Sequence, residues 1–222
     1  MDALFFPGIG GNADDWSPQF PLGDGDRRLH FLETCQLPGG PEEHAAHGLG
    51  LVGGDLHVVG HSYGAIPALM AAARGGRRIR SLVLMEPSCL GISAHLPATT
   101  ATLEKLRAVW AEHAEPPTPD GVLAARFFDN VHGQIDPENP MAAQAGGNLR
   151  RWGVPWAHEL DLGVASRVPT LVVTGAWSDT YEEIARVIAE AGARHVRLEG
   201  YGHYPQNHPD VNALLVDFWG SV

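Results

Sequence analysis

Cysteine and long apolar runs are scarce in this chain. Its 222 residues include two cysteines, Cys35 and Cys89. Two thiols do not make the disulfide framework that holds small secreted domains together. The first residues carry no basic leader of the kind found in signal peptides, and no apolar run approaches the roughly 20 residues of a transmembrane helix. We therefore expect free thiols, a cytoplasmic location and no membrane contact.

Positive charge is also in short supply. Lysine and arginine together number 15 against 26 aspartates and glutamates, for a formal net charge of −11. Such a balance argues against nucleic acid and against anionic membrane surfaces as partners, because both attract basic proteins. We expect a small-molecule substrate instead. The oligomeric state is left open by the sequence.

Recognisable metal and nucleotide motifs are missing as well. There are twelve histidines, but His44 and His47 stand three apart without a His-Glu-x-x-His pattern or a Cys/His ligand spacing. We therefore interpret the histidines as scattered surface residues. The glycine-rich turn at residues 8–10 lacks the Gly-Lys-Ser/Thr or dinucleotide continuation of a phosphate-binding loop. The sequence thus predicts no metal and no nucleotide cofactor.

Strand-like and helix-like runs alternate along most of the chain. This pattern predicts the α/β class, with a mostly parallel sheet of about six strands and helices on both faces, in a single domain over residues 1–222. The predicted strands are Ala3–Phe6, Leu29–Leu32, Leu56–Val59, Ile79–Met85, Thr170–Thr174 and His195–Leu198. The predicted helices outside the central region are Pro41–Leu49, Tyr63–Arg74, Tyr181–Ala191 and Asp210–Trp219.

The region from Pro87 to Arg167 interrupts this alternation. It is rich in Pro, Ala, Gly and Trp, and contains helix-like pieces near Thr102–Glu112 and Gly121–Phe128. A long insertion between two sheet strands commonly forms a binding cap. We expect residues 87–167 to form a helical cap or lid within the one domain.

The pattern Gly60-His61-Ser62-Tyr63-Gly64 lies between a strand-like run and a helix-like run. In that context a serine sits on a sharp, strained turn with its hydroxyl exposed at the top of the sheet. The sequence therefore predicts Ser62 as a nucleophile. The backbone N–H of Tyr63 is then expected to point at a developing oxyanion.

A serine nucleophile needs a base and an acid that orients the base. His203 lies in a Gly-flanked loop after the last predicted strand, and we expect it to be the base. Asp179, after the strand Thr170–Thr174, is the first candidate for the acid, although it could instead cap the following helix. Glu86, at the end of the strand Ile79–Met85, is the alternative acid.

The first predicted strand runs into Phe6-Pro7-Gly8-Ile9-Gly10. A loop at this place brings a backbone N–H close to the nucleophile. We expect Ile9 to supply the second oxyanion donor beside Tyr63, with Gly10 as the alternative.

Together these segments resemble the α/β-hydrolase superfamily. The resemblance rests on Phe6-Pro7-Gly8-Ile9, the Gly-x-Ser-x-Gly turn, Pro169–Gly175 and Gly200-Tyr201-Gly202-His203. It implies a fold shortened at the N-terminus, with Ser62, His203 and Asp179 as catalytic residues and Ile9 and Tyr63 as oxyanion hole. It also implies an enzyme without metal or cofactor. A serine at the turn is unlike the branches that attack through an aspartate.

The chemistry this implies is acyl transfer to water. We expect a serine hydrolase that cleaves a carboxylic ester or thioester of a small, largely apolar substrate through an acyl-enzyme on Ser62. A C–C bond lyase or cyclase using the same Ser-His pair is the alternative, since one fold hosts several chemistries. A non-catalytic binding protein is a third reading. Aromatic residues available for an apolar pocket in the cap are Trp110, Phe127, Phe128, Trp152 and Trp156.

Overall fold

A single parallel sheet forms the centre of the protein. The structure, a computed structural model, describes residues 1–23, 27–115 and 118–222. The strands are β1 Asp2–Phe6, β2 Leu29–Phe31, β3 Leu56–His61, β4 Ile79–Met85, β5 Thr170–Thr174 and β6 Arg194–Arg197. They follow the order β2-β1-β3-β4-β5-β6, and each neighbouring pair is parallel. The predicted fold class is confirmed.

Both faces of the sheet are covered, which explains why its central strands are continuous apolar runs. Successive side chains of a strand point to opposite faces. In β1, Leu4 and Phe6 join the core formed with helices α1 (Pro41–Leu51), α2 (Ala65–Gly75) and α7 (Asp179–Glu190). Ala3 and Phe5 join the opposite core. Helix α8 (Val211–Gly220) and a 3-10 segment at Ala13–Leu22 complete that second core.

Among the described residues between β4 and β5, where the sequence predicts the cap, there are four helices. They are α3 Pro97–His113, α4 Asp120–Asp129, α5 Pro140–Trp152 and α6 Val164–Arg167. Residues 116–117 of the predicted cap lie outside the described ranges. Phe128 and His132 from this insertion line the cavity at Ser62. Its action as a lid remains a prediction.

Helix α5 has no counterpart among our predicted helices. Its two adjacent glycines, Gly146 and Gly147, weaken the helical signal, since glycine costs roughly 1 kcal/mol relative to alanine in a helix. The reason for a small residue is tertiary. A Cβ at Gly146 would lie 1.9 Å from the Asp120 carbonyl oxygen of α4. The glycine thus allows the two helices to pack closely.

The interpretation of the histidines as surface residues is wrong for several of them. His44 is buried edge-on against Trp152, and His57 is buried in a stack on Trp219 with its Nδ1 2.8 Å from Ser81 Oγ. Burial lowers the pKa of both imidazoles to about 4, because desolvation disfavours the charged form. These two residues serve as flat core side chains.

Both cysteines are free thiols, and Cys89 is fully buried. Across residues 1–23, 27–115 and 118–222, none of the helices has the length and apolar character required to cross a membrane.

Candidate active site

Ser62 follows β3 directly and has a strained backbone. Its φ of 54° lies in the left-handed region that non-glycine residues rarely adopt. The turn is sterically possible only because Gly60 and Gly64, on either side of it, have no Cβ. A Cβ at Gly64 would lie 2.3 Å from the Phe6 carbonyl oxygen, and one at Gly60 would lie 2.6 Å from Ala68 Cβ. Helix α2 can therefore start immediately beside β1 and β3, with the serine held at the carboxyl edge of the sheet.

The imidazole of His203 reaches this serine from the loop after β6. Its Nε2 lies 2.9 Å from Ser62 Oγ, a hydrogen-bond distance. The loop is anchored by His61, whose Nε2–H donates to the His203 carbonyl at 2.8 Å. His203 is buried at 5% exposure. The structure therefore brings together the two residues that the sequence predicts as nucleophile and base.

The carboxylate beside His203 belongs to Glu86, the residue after β4. Its Oε2 lies 3.6 Å from His203 Nδ1, within ion-pair range but beyond a hydrogen bond. Two groups of the loop after β5 hold it. The Gly175 N–H donates to Oε1, and Trp177 Nε1 donates to Oε2 at 3.1 Å. Glu86 is fully buried and has a positive φ of 45°.

Asp179, our first candidate for the acid, lies elsewhere. It is exposed at the first residue of α7 and lines a separate surface depression with Glu182, Glu183 and Arg186. This placement corrects our expectation of which carboxylate lies beside His203. The physical reason is that the chain leaves the sheet after Thr174, where β5 ends, and has reached the surface by Trp177, before α7 begins at Asp179. An acidic residue in a first helical turn is favourable there, because it faces the positive end of the helix dipole.

Burial perturbs the titration of the His203–Glu86 pair. Desolvation lowers the pKa of His203, because charging the imidazole would cost solvation. Desolvation raises the pKa of Glu86 to about 7, against the opposing effect of the Gly175 and Trp177 donors. At neutral pH the imidazole is therefore unprotonated, the state in which Nε2 can accept the Ser62 proton.

The predicted oxyanion loop approaches Ser62 closely. A Cβ at Gly8 would lie 3.4 Å from Ser62 Cβ. The Gly8 carbonyl accepts the Gly11 N–H at 3.0 Å, so the Ile9 N–H of the same trans peptide points away from that turn. On the other side, the Ile9 carbonyl accepts from Asn148 Nδ2 of α5 at 2.7 Å. These two hydrogen bonds, to the Gly8 and Ile9 carbonyls, hold the conformation of the loop.

Tyr63 is tied to the insertion through its side chain. Its hydroxyl lies 2.8 Å from the Gly153 carbonyl and 2.9 Å from His158 Nε2. The ring is therefore directed away from the cavity, and the part of Tyr63 that remains available near Ser62 is its backbone.

Three residues at the site were not predicted from the sequence. Ser88 Oγ lies 3.2 Å from Ser62 Oγ and 3.2 Å from the Tyr181 hydroxyl, which forms a chain of three hydroxyls. His132 of the insertion stacks on His203, with centroids 4.6 Å apart and planes at 12°. The position of Ser88 just after a strand end is a weak sequence signal. Nothing in the sequence around His132 or Tyr181 indicates these contacts.

A cavity of about 370 Å³ opens beside Ser62 and His203. This size lies in the range of small-molecule sites. In its described lining Asp15 is the single side chain of the Asp, Glu, Lys and Arg types; the rest is apolar, glycine, imidazole or neutral polar. The cavity therefore suits an uncharged small molecule better than a polyanion.

The chain is similar in structure to several solved proteins. MenH from S. aureus superimposes with a TM-score of 0.70 at 14% identity, over 100% of this chain and 94% of that one. The enol-lactonase from Burkholderia xenovorans LB400 gives a TM-score of 0.60 at 19% identity, over 99% and 91%. Naproxen esterase from Bacillus subtilis gives 0.62 at 14% identity, over 98% and 83%. At these identities the likeness is one of fold.

Comparison of sequences gives the family. A search of curated proteins returns no significant match. The sequence profile of the alpha/beta hydrolase family, in contrast, matches residues 3–213, nearly the whole chain. The match spans the serine turn, the end of β4 and the His203 loop, so the geometry described above lies within it. The chain therefore belongs to the alpha/beta hydrolase family.

Proposed function

We propose that the protein is a serine hydrolase that cleaves a carboxylic ester or thioester of a small, largely apolar substrate through an acyl-enzyme on Ser62. The observation that carries the proposal is the 2.9 Å contact between Ser62 Oγ and His203 Nε2, with the Glu86 carboxylate on the far side of the ring. A nucleophile, a base and an orienting acid in this order are the requirements of acyl transfer.

In the first half-reaction His203 Nε2 takes the Ser62 proton as Oγ attacks the substrate carbonyl. The imidazolium that forms is stabilised by Glu86, and the negative oxygen of the tetrahedral intermediate is held by the N–H groups of Ile9 and Tyr63. The bond to the leaving group then breaks, and the leaving oxygen or sulfur takes the proton from His203.

In the second half-reaction a water molecule takes the place of the leaving group. His203 removes its proton, the hydroxide attacks the acyl-enzyme, and the carboxylic acid departs as Ser62 regains its proton. In this scheme Glu86 is a positioning residue that acts through His203, and the inserted segment 87–167 covers the substrate.

The test is intact-mass labelling with a fluorophosphonate, followed by an ester and thioester panel. We expect one adduct and measurable turnover in the wild type, and loss of both in Ser62→Ala, with kcat lower by about 10⁴-fold or more. Ser166→Ala, an exposed residue of the short helix α6 outside the site, is the matched control. Undiminished turnover in purified Ser62→Ala would contradict the proposal. An adduct without hydrolysis of any ester would favour the lyase or cyclase alternative.

A further inference from the structure

A second, much smaller cavity meets the first one at Ser62. It measures about 20 Å³, which is room for about one group the size of a water molecule or a methyl. Four residues line both cavities, and they are Ile9, Ser62, Phe128 and His132. The remaining wall of the small cavity consists of Tyr63, Ser88, Phe127, Val131, Leu149 and Pro155. A substrate attached to Ser62 can thus extend in two directions of very different size.

The chemistry of acyl transfer decides which half of the substrate occupies which cavity. The leaving group must receive its proton from His203, so it has to lie within hydrogen-bond reach of Nε2. His203 lines the cavity of about 370 Å³ and is not among the residues around the small one. The leaving group is therefore assigned to the large cavity.

The acyl substituent must then lie on the opposite side of the carbonyl carbon. Tyr63 lines the small cavity and not the large one, while Ile9 lines both. The small cavity is the second space that Ser62 borders, and its wall includes Phe127, Val131 and Leu149. The acyl group is therefore assigned to the small cavity.

The walls of the small cavity are largely apolar and closely packed. Leu149 has no exposed surface, and Phe127 stacks on Trp156 with centroids 6.1 Å apart and planes at 7°. Among the polar residues of the wall, Ser88 has its hydroxyl engaged by Ser62 and Tyr181, and the Tyr63 hydroxyl is engaged by Gly153 and His158. Enlarging such a space requires displacement of close-packed side chains, which is costly. The site therefore sets an upper limit on acyl length.

We propose that the substrate is an ester or thioester of a short, apolar acyl group of about two carbons, with one methyl-sized group on the carbonyl carbon, joined to a leaving group larger than the acyl part. This inference rests on the proposed function and adds the substrate class to it. Phe127, Val131 and Leu149 are the residues that select the acyl group.

The test uses two series of esters on the full-length protein. In the first, p-nitrophenyl acetate, butanoate and octanoate vary only the acyl chain, and we expect kcat/KM to fall by about ten-fold or more from acetate to octanoate. In the second, methyl and benzyl acetate vary the leaving alcohol at similar acidity. Here we expect the benzyl ester to be the better substrate.

Variants assign the preference to the cavities. Val131→Ala and Leu149→Ala enlarge the small cavity, so we expect the butanoate to acetate ratio of kcat/KM to rise by about ten-fold. Val131 is only half-buried, so its variant is expected to fold even where Leu149→Ala does not. Ile135→Ala, a similar truncation in the large cavity, should alter the benzyl to methyl ratio and leave the acyl preference unchanged.

Two results would go against the inference, and they differ from each other. Ser62-dependent turnover that is fastest with octanoate, and that responds to Ile135→Ala rather than Val131→Ala, would overturn the assignment of the cavities and leave the hydrolase proposal standing. Absence of Ser62-dependent turnover with every ester would contradict the proposed function itself, and the inference would fall with it.

Discussion

Two loops at the same edge of the sheet differ in how deeply their side chains are buried. The loop after β4, residues 86–88, is buried and carries a carboxylate and a hydroxyl that face the Ser62–His203 pair. The loop after β5, residues 175–178, is exposed at Trp177, and it contributes the N–H donors of Gly175 and Trp177 to Glu86 rather than a carboxylate of its own. Similar positions in a parallel sheet therefore do not imply similar roles. The depth at which a side chain is buried decides between them.

The neighbours of each strand account for this difference. The loop after β4 is held between β3 and β5, since the Glu86 N–H donates to the Val173 carbonyl at 2.9 Å and the Ser88 N–H to the Ser62 carbonyl at 3.0 Å. β5 has the edge strand β6 as its outer neighbour, and the residues of β6 are half-buried or exposed. The loop after β5 can therefore turn outward into α7.

Among changes in the two loops, the largest effect is expected from the buried carboxylate of Glu86. We expect Glu86→Gln to lower kcat by about 10³- to 10⁴-fold, as loss of the orienting acid does in other triads. The amide is neutral and cannot stabilise the imidazolium. Steady-state kinetics with an ester substrate and circular dichroism to verify folding are the measurements. Wild-type kcat in folded Glu86→Gln would remove Glu86 from the mechanism.

The pH profile of kcat should distinguish Glu86 from Asp179 as the orienting acid. In the proposed mechanism, activity requires neutral His203 and ionised Glu86, and burial raises the pKa of Glu86 to about 7. The wild-type kcat should therefore rise with pH up to about 7 and level off above it. In Glu86→Gln the carboxylate no longer titrates. The residual activity should then persist to lower pH, because burial lowers the pKa of His203.

Profiles recorded between about pH 5 and 9 provide this test. Asp179→Asn serves as the control and should keep the wild-type acid limb. If the acid limb moved in Asp179→Asn and not in Glu86→Gln, Asp179 rather than Glu86 would be the carboxylate that controls activity.

A smaller effect is expected from the loop after β5, through the donor it contributes. Trp177→Phe removes the N–H that binds Glu86 Oε2 and keeps an aromatic ring. Hydrogen bonds to charged groups contribute about 1.5–3 kcal/mol, so we expect kcat to fall by roughly ten-fold with little change in KM. Trp110→Phe, a matched change on α3, should leave kcat as it is. Equal effects of the two variants would show that the Trp177 donor does not support Glu86.

The smallest effect is expected at Asp179 itself. Its carboxylate is exposed on the first turn of α7, so Asp179→Asn should change kcat by less than about two-fold. Loss of its interaction with the helix dipole should lower the free energy of unfolding by about 0.3–1 kcal/mol. Urea denaturation and steady-state kinetics measure the two quantities. A loss of kcat approaching that of Glu86→Gln would restore Asp179 as the acid.

Local patterns were sufficient to predict most of the fold. Periodicity and apolar runs located all six strands to within two residues at either end, together with α1, α2, α7 and α8. They did not predict α5, because Gly146 lowers the helix propensity of this segment. The reason for the glycine is its close contact with α4, which is too far away in the sequence to enter a local pattern. The burial of His44 and His57 was not predicted for the same reason, since it depends on their distant partners Trp152 and Trp219.

At the site, the sequence by itself determined Ser62 and His203 as candidates, because a bare Gly-x-Ser-x-Gly turn and a Gly-flanked histidine after the last strand are local features. Which carboxylate lies beside His203 was decided only by the tertiary structure. Glu86 and Asp179 both follow strands, and nothing near either one shows how deep it is buried. The same holds for Ser88, Tyr181 and His132, since strand order and the path of the insertion place distant segments around one imidazole.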